Sequence, residues 1–203
     1  MGKKQLIISV GRDFGSGGHV IARLLADAYD IPLYDHKLMC EIAAEKGVDV
    51  RVLDKYDEIP HNALFSRTVR GYNNSPEENV ATMQFNFLKK KAAEGQSFVV
   101  IGRCSETILR EYEGLVSIFV LGDLEAKIAR TAERNNISQS EAELMINRHD
   151  KKRKAYHNYY CTGSWGDSRN YDICVNSTRL GIEKTAEMLK TYIDAIIEKR
   201  EKE

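Results

Sequence analysis

An excess of charge of one sign is absent from this 203-residue sequence: 30 Lys and Arg stand against 30 Asp and Glu. Proteins that coat nucleic acid draw their affinity from a large positive field, so no nucleic-acid partner is expected. No apolar run approaches the roughly 20 residues of a membrane span, so no membrane partner is expected either. The opening MGKKQLIISVGRD carries two lysines and a short apolar run with no small-residue cleavage site behind it. It reads as a first strand rather than a signal peptide, and the expected location is the cytoplasm. Cys40, Cys104, Cys161 and Cys174 are far apart and form no CxxC pair, and no histidine is read at ligand spacing. Neither a zinc site nor a disulfide framework is expected, only four intracellular thiols. Internal repeats and low-complexity tracts are also missing. A disordered chain combines few apolar residues with high net charge; this one has 42% apolar residues and no net charge. It is long enough to bury its own core as one domain spanning residues 1–203.

What is present alternates. Four short runs are apolar at successive positions: residues 6–10, 97–101, 115–121 and 172–175, with a weaker fifth at 31–34. Such runs mark strands covered on both faces, as in a parallel sheet. Helical spacing fills 19–29, 35–46, 123–135, 138 to about 156, and 180–199. A further helix opens at Ser75, Pro76, Glu77 and Glu78, and the one from Ser138 opens with Glu141 three residues on; both are read as capping boxes. The expected fold is an open α/β sheet with helices on both sides. Residues 48–74 carry no strong periodicity and read as a mobile flap, while 158–170 (NYYCTGSWGDSRN) reads as an ordered loop. Between Lys127 and Lys154, eight Lys/Arg stand against four Asp/Glu, a local field that suits a small polyanion.

The first strand runs into Gly11-Arg-Asp-Phe-Gly15-Ser16-Gly17-Gly18-His19 and then a helix. Strand, glycine turn and helix N-terminus together present backbone N–H groups to phosphate oxygens, at the sheet edge where open α/β folds bind ligands. The pattern fits neither common phosphate loop strictly. A dinucleotide fingerprint wants a third glycine where Val20 stands, although Asp35 follows about 20 residues on. In a GxxxxGK[ST] loop, Arg12 takes the first glycine's place, Gly18 the lysine's and His19 the hydroxyl residue's.

The segments GRDFGSGGHVIARLLADAYDIPLYDHKLM, IGRCSETILRE, IFVLGDLEAKIARTAERN, INRHDKKRKAYHNYY and YDICVNSTRLGIE, in this order, resemble the bacterial cytidylate kinase-like family, a branch of the P-loop nucleoside-monophosphate kinases. The resemblance covers most of the chain and is weakest over 48–74. It implies a three-layer α/β/α fold with a mostly parallel five-stranded sheet and a helical lid at about 136–170, with an acceptor-side flap at about 36–95. It implies ATP and Mg²⁺ as cofactors, and small nucleotides as substrates. By resemblance, Gly11, Gly15, Ser16, Gly17, Gly18 and His19 hold the donor phosphates, and Ser16 offers a hydroxyl to the metal. Arg148, Asp150 and Arg153 fall in the lid's arginine-rich segment. Arg12 and Lys152 are the candidates to replace the missing lysine, joining Arg148 and Arg153 as catalytic residues. Gly102-Arg103 resembles the Gly-Arg-Asp segment of cytidylate kinases, with Cys104 in place of the acid, so Arg103 is the candidate for the acceptor phosphate. Asp35, Arg130 and Arg134 join it on the acceptor side.

Each candidate has a structural alternative: a helix cap for Asp35, surface ion pairs for Arg130 and Arg134, a solvated face for Lys151 to Lys154. Tyr156, Tyr159, Tyr160 and Trp165 read as lid packing ahead of base stacking, and His149 and His157 as bystanders. The function expected is ATP-dependent phosphoryl transfer to a small acceptor, most plausibly a nucleoside monophosphate like CMP. The alternatives are a nucleotide sensor on the same fold and a kinase of another small metabolite.

Overall fold

A computed structural model of the chain describes residues 4–35, 37–47, 49–57, 59, 68–69, 72–73 and 75–202. Five strands, β1 (Ile7–Arg12), β2 (Leu33–Tyr34), β5 (Phe98–Ile101), β6 (Leu115–Leu121) and β7 (Ile173–Asn176), form one sheet in the order β2-β5-β1-β6-β7. Every pairing in it is parallel. The sheet is therefore wholly parallel, where a mostly parallel one was expected.

The continuous apolar runs are explained by cover on both faces. Ile8 and Val10 of β1 pack with Val99 and Ile118 against α1 (Gly18–Tyr29) and α8 (Ile182–Lys202). Ile7, Phe98 and Val100 face the other way, onto α2 (Lys37–Lys46) and α4 (Pro76–Ala93). Burying each such side chain contributes about 1.5–3 kcal/mol. One polar contact interrupts this second face: Ser9 Oγ lies 2.6 Å from Ser105 Oγ on the short α5 (Ser105–Ile108). The remaining helices, α6 (Leu124–Asn135) and α7 (Gln139–Tyr160), pack on each other.

Ser138 and Glu141 form the reciprocal capping box that opens α7. At α4, Ser75 accepts from the Glu78 N–H at 3.4 Å, but its hydroxyl is directed to Glu77, so the cap is one-sided. The helix expected to end near residue 156 runs on to Tyr160, and the loop behind it contains a 3₁₀ turn at Ser168–Asn170. Much of the expected flap lies outside the described residues. Within them it contributes α3 (Val50–Asp54) and a two-residue antiparallel pair, β3 (Thr68–Val69) and β4 (Tyr72–Asn73).

Candidate active site

The glycine turn leaves the sheet at its central strand. The N–H of Asp13 still bonds Val120 O at 3.0 Å, then the chain turns through Gly15 and Gly17, whose φ values of 78° and 83° favour glycine. Ser16 between them is fully buried. Its hydroxyl donates to Asp13 O at 2.9 Å and accepts from Gly18 N at 3.3 Å, while Ser177 Oγ donates to Ser16 O at 2.5 Å. The Phe14 N–H donates to Asp150 Oδ1 at 2.7 Å. Among the described residues, the N–H groups of Gly15, Gly17 and His19 meet no acceptor. Three backbone donors thus stand open at the start of a 12-residue helix, with its partial positive charge behind them.

Arg12 and Gly18 are in close contact at the base of this turn. A Cβ on Gly18 would lie 2.6 Å from Arg12 Cβ and 3.3 Å from Arg12 Cγ. The arginine side chain therefore fills the space from which a lysine at position 18 would start.

Arg12, Arg103 and Arg153 line one pocket between the ends of β1 and β5, with Glu106, His157 and Trp165 among its other walls. Each arrives from a different segment. Arg103 follows β5 in a left-handed turn with φ 58°; it is 5% exposed, and its Nη2 donates to Asp57 Oδ2 at 2.7 Å. Asp57 Oδ1 in turn accepts from Gln84 Nε2 at 2.8 Å. Arg153 comes from α7, with Nη1 3.9 Å from Asp150 Oδ1 and its guanidinium 5.5 Å from the centre of the Phe14 ring. The Phe14 ring also stacks on His149 at 4.4 Å.

The other sequence candidates take different places. Arg130 donates to Gly15 O, so it braces the phosphate-type turn, whereas the sequence put it on the acceptor side. Arg134, Arg148 and Lys152 are exposed and do not line the cavity. His19 is exposed, with Nε2 3.0 Å from Asp35 Oδ2, so these two candidates meet each other. Ser16 has its hydroxyl turned into the loop, between Asp13 O and Gly18 N. The tyrosines and tryptophan pack as expected: Tyr156 and Tyr159 on Tyr160 at 4.9 and 4.8 Å, and Trp165 edge-on to Phe119 at 5.4 Å.

Sequence reasoning missed a buried lysine. Lys127, in the first turn of α6, is 8% exposed, with Nζ 3.0 Å from Asp13 Oδ2 and 3.6 Å from Asp150 Oδ2. Burial raises the pKa of the Asp150 carboxyl and Asp13 adds to this; the Phe14 N–H, Lys127 and Arg153 pull it down without cancelling the rise. Lysine is rarely buried unless paired, and here one ammonium ties the turn after β1 to α7.

The expectation of four isolated thiols also needs correction. His157 and Cys161 stand four residues apart on α7 and meet Glu106 of α5. His157 Nε2 lies 2.7 Å from Glu106 Oε1, and Cys161 Sγ 3.9 Å from the same oxygen. Burial disfavours charge on His157, but bonds to Cys161 and Glu106 outweigh it and hold the imidazolium up to a pKa of about 10. The Cys161 thiol is pulled down, first by a hydrogen bond with Cys104 and then by His157 and Thr107. His157 is thus held in a buried ion pair with Glu106.

A wholly parallel sheet of this order, with a glycine turn at the end of its central strand, has the fold of the P-loop kinases. The chain superposes on a shikimate kinase from Bacteroides thetaiotaomicron with a TM-score of 0.55 at 13% identity, over 93% of this chain and 98% of the other. The family follows from the sequence itself: residues 7–179 match the cytidylate kinase-like family, and the chain belongs to it. It is 25% identical to a cytidylate kinase of Methanopyrus kandleri, over 97% of each chain. It also resembles an uncharacterised protein from Eubacterium ventriosum, with 38% identity and a TM-score of 0.75 over 94% of this chain and 99% of that one. Kinase, transferase and nucleotide-binding character follow from family and fold together.

Proposed function

We propose that the protein transfers the γ-phosphoryl group of ATP to a small acceptor, with a nucleoside monophosphate such as CMP as the acceptor it suits best. The observation carrying this reading is the trio of open N–H groups at Gly15, Gly17 and His19, beside a cavity lined by Arg12, Arg103 and Arg153. Phosphoryl transfer needs alignment and charge neutralisation more than covalent chemistry, and this is what such donors supply. The amides would cradle the donor phosphates, with Arg12 providing the cation that a lysine at position 18 provides elsewhere. Arg153, on a lid at about 136–170, would neutralise the group in transfer. Arg103, facing a flap at about 36–95, would hold the acceptor phosphate. The resemblance to a cytidylate kinase supports CMP, and a cytoplasmic location agrees with ATP as donor.

The residues fit a polyphosphate better than they fit magnesium. The Ser16 hydroxyl is fully buried and donates to Asp13 O, so it does not fit a metal ligand's role. Mg²⁺ usually binds largely through substrate phosphates and water, so a metal carried by the nucleotide remains compatible with the site.

Purified protein incubated with ATP, Mg²⁺ and a panel of nucleoside monophosphates should form ADP, fastest with CMP. Arg153→Ala should lower kcat about a thousandfold, the scale of a charge-stabilising arginine in phosphoryl transfer. Tight ATP binding by calorimetry with no turnover on any acceptor would refute the kinase reading in favour of a nucleotide sensor.

A further inference from the structure

The cluster of Glu106, His157 and Cys161 plays no part in the phosphate chemistry above, and its composition is unusual for a buried core. The three residues are 3%, 5% and 7% exposed, and their donor atoms all lie within 4.8 Å of one another. Cys104, in the left-handed turn before α5, brings a second thiol into hydrogen-bonding contact with Cys161. We propose that Glu106, His157 and Cys161 form a three-ligand site for a divalent transition ion of the zinc class.

Three physical arguments support the assignment. The first is distance. Tetrahedral zinc, with bonds of about 2.0–2.3 Å, sets its ligand atoms roughly 3.3–3.8 Å apart. The Cys161–Glu106 separation of 3.9 Å nearly meets this already. The His157–Glu106 separation of 2.7 Å must open by less than about 1 Å once the shared proton gives way to the ion.

The second is the outer contact of the imidazole. A metal-bound histidine is usually oriented by a hydrogen bond at its other ring nitrogen. His157 Nδ1 lies 3.3 Å from Asn158 Oδ1, which the Trp165 N–H also holds, at 2.8 Å. The ring is thus fixed with Nε2 towards Glu106.

The third is charge. One carboxylate, one neutral imidazole and one thiolate sum to −2, which a divalent ion neutralises. The loaded site then adds no net charge beside Arg103 and Arg153, whose own counterions are Asp57 and Asp150. Thiol ligands select zinc-like ions over magnesium, so the site is chemically separate from any metal that travels on a nucleotide. It would tie the end of α7 to the turn carrying Arg103.

Cobalt(II) titration of reduced, chelator-treated protein tests this without nucleotide, so the outcome is independent of the kinase reading. A thiolate-to-cobalt charge-transfer band should rise to saturation at one equivalent and disappear when Zn²⁺ is added. Cys161→Ser should abolish the band, while Cys104→Ser and Cys174→Ser should each retain it. If Cys161→Ser does not fold, alkylation of the wild type provides the readout. Zn²⁺ should then slow labelling of Cys161 at least tenfold and leave Cys40 and Cys174 unaffected. No band with folded wild type, a band retained in Cys161→Ser, or labelling rates indifferent to Zn²⁺ would each overturn the site.

Discussion

The ammonium of Lys127 lies 3.0 Å from the carboxylate of Asp13, joining the first turn of α6 to the strand end that begins the glycine turn. Asp150 of α7 shares the same ammonium at 3.6 Å. Removing the lysine leaves two poorly hydrated carboxylates facing each other. Lys127→Met should cost about 3 kcal/mol, the scale of breaking a buried ion pair, read as a lower urea midpoint with unchanged slope. Adding Asp13→Asn should recover part of the loss; strict additivity of the two changes would show that the pair is not coupled.

Arg12 and Gly18 compete for one volume. Gly18→Ala should destabilise by about 2 kcal/mol through overpacking against Arg12 Cβ, and Gly18→Lys by more. Arg12→Gly combined with Gly18→Lys removes the clash and moves the cation to the usual position of a phosphate-loop lysine. That double variant should regain both thermal stability and ATP affinity lost in the single variants. Calorimetry on the set checks this, and ATP affinity unchanged in Arg12→Gly alone would separate Arg12 from donor binding.

Asp57 holds the buried guanidinium of Arg103. Without that carboxylate the arginine loses its orientation and its counterion together. Asp57→Ala should raise the acceptor KM about tenfold while kcat changes little, the signature of lost ground-state binding. Arg103→Lys should behave similarly, because an ammonium cannot reproduce the planar guanidinium contact. Steady-state kinetics at saturating ATP distinguish this from a general loss of folding.

Tyr34 provides a pH test of the core. Burial, followed by repulsion from Glu41 and Glu94, pushes its phenol up to about 12. The unfolded phenol ionises near pH 10, so its contribution is complete below that pH. It fades as pH rises through 10 and is gone above about 12. The difference is about 3 kcal/mol. Tyr34→Phe should flatten that part of the alkaline stability curve, measured by urea unfolding between pH 9 and about 12.

Much of this architecture was legible because the physics is local. Ile7 and Ile8 are adjacent, apolar and both fully buried, as a strand covered on both sides permits. Gly15 and Gly17 announced a turn that other residues would strain. What stayed hidden depended on side-chain direction and distant contacts. The charge pattern placed Lys127 in a basic stretch but could not tell which cation of α6 turns inward. His157 and Cys161 looked unrelated to Glu106 because their meeting requires α7 to continue to Tyr160 and dock on α5. Asp57 is 46 residues from the arginine it holds, and no local signal connects them.

The strand order has a consequence for biosynthesis. β1 emerges from the ribosome first, yet its neighbours in the sheet begin at Phe98 and Leu115. Until both have been translated, Ile7, Ile8 and Val10 have no sheet to enter, and the nascent chain presents greasy, hydrogen-bond-hungry backbone to the surrounding water. Long-range parallel pairing of this kind is slow and prone to aggregation. Translation stalled before Leu115 should therefore leave a chaperone-dependent fragment, while release after β7 should allow the phosphate-type turn to take shape in one late, concerted step.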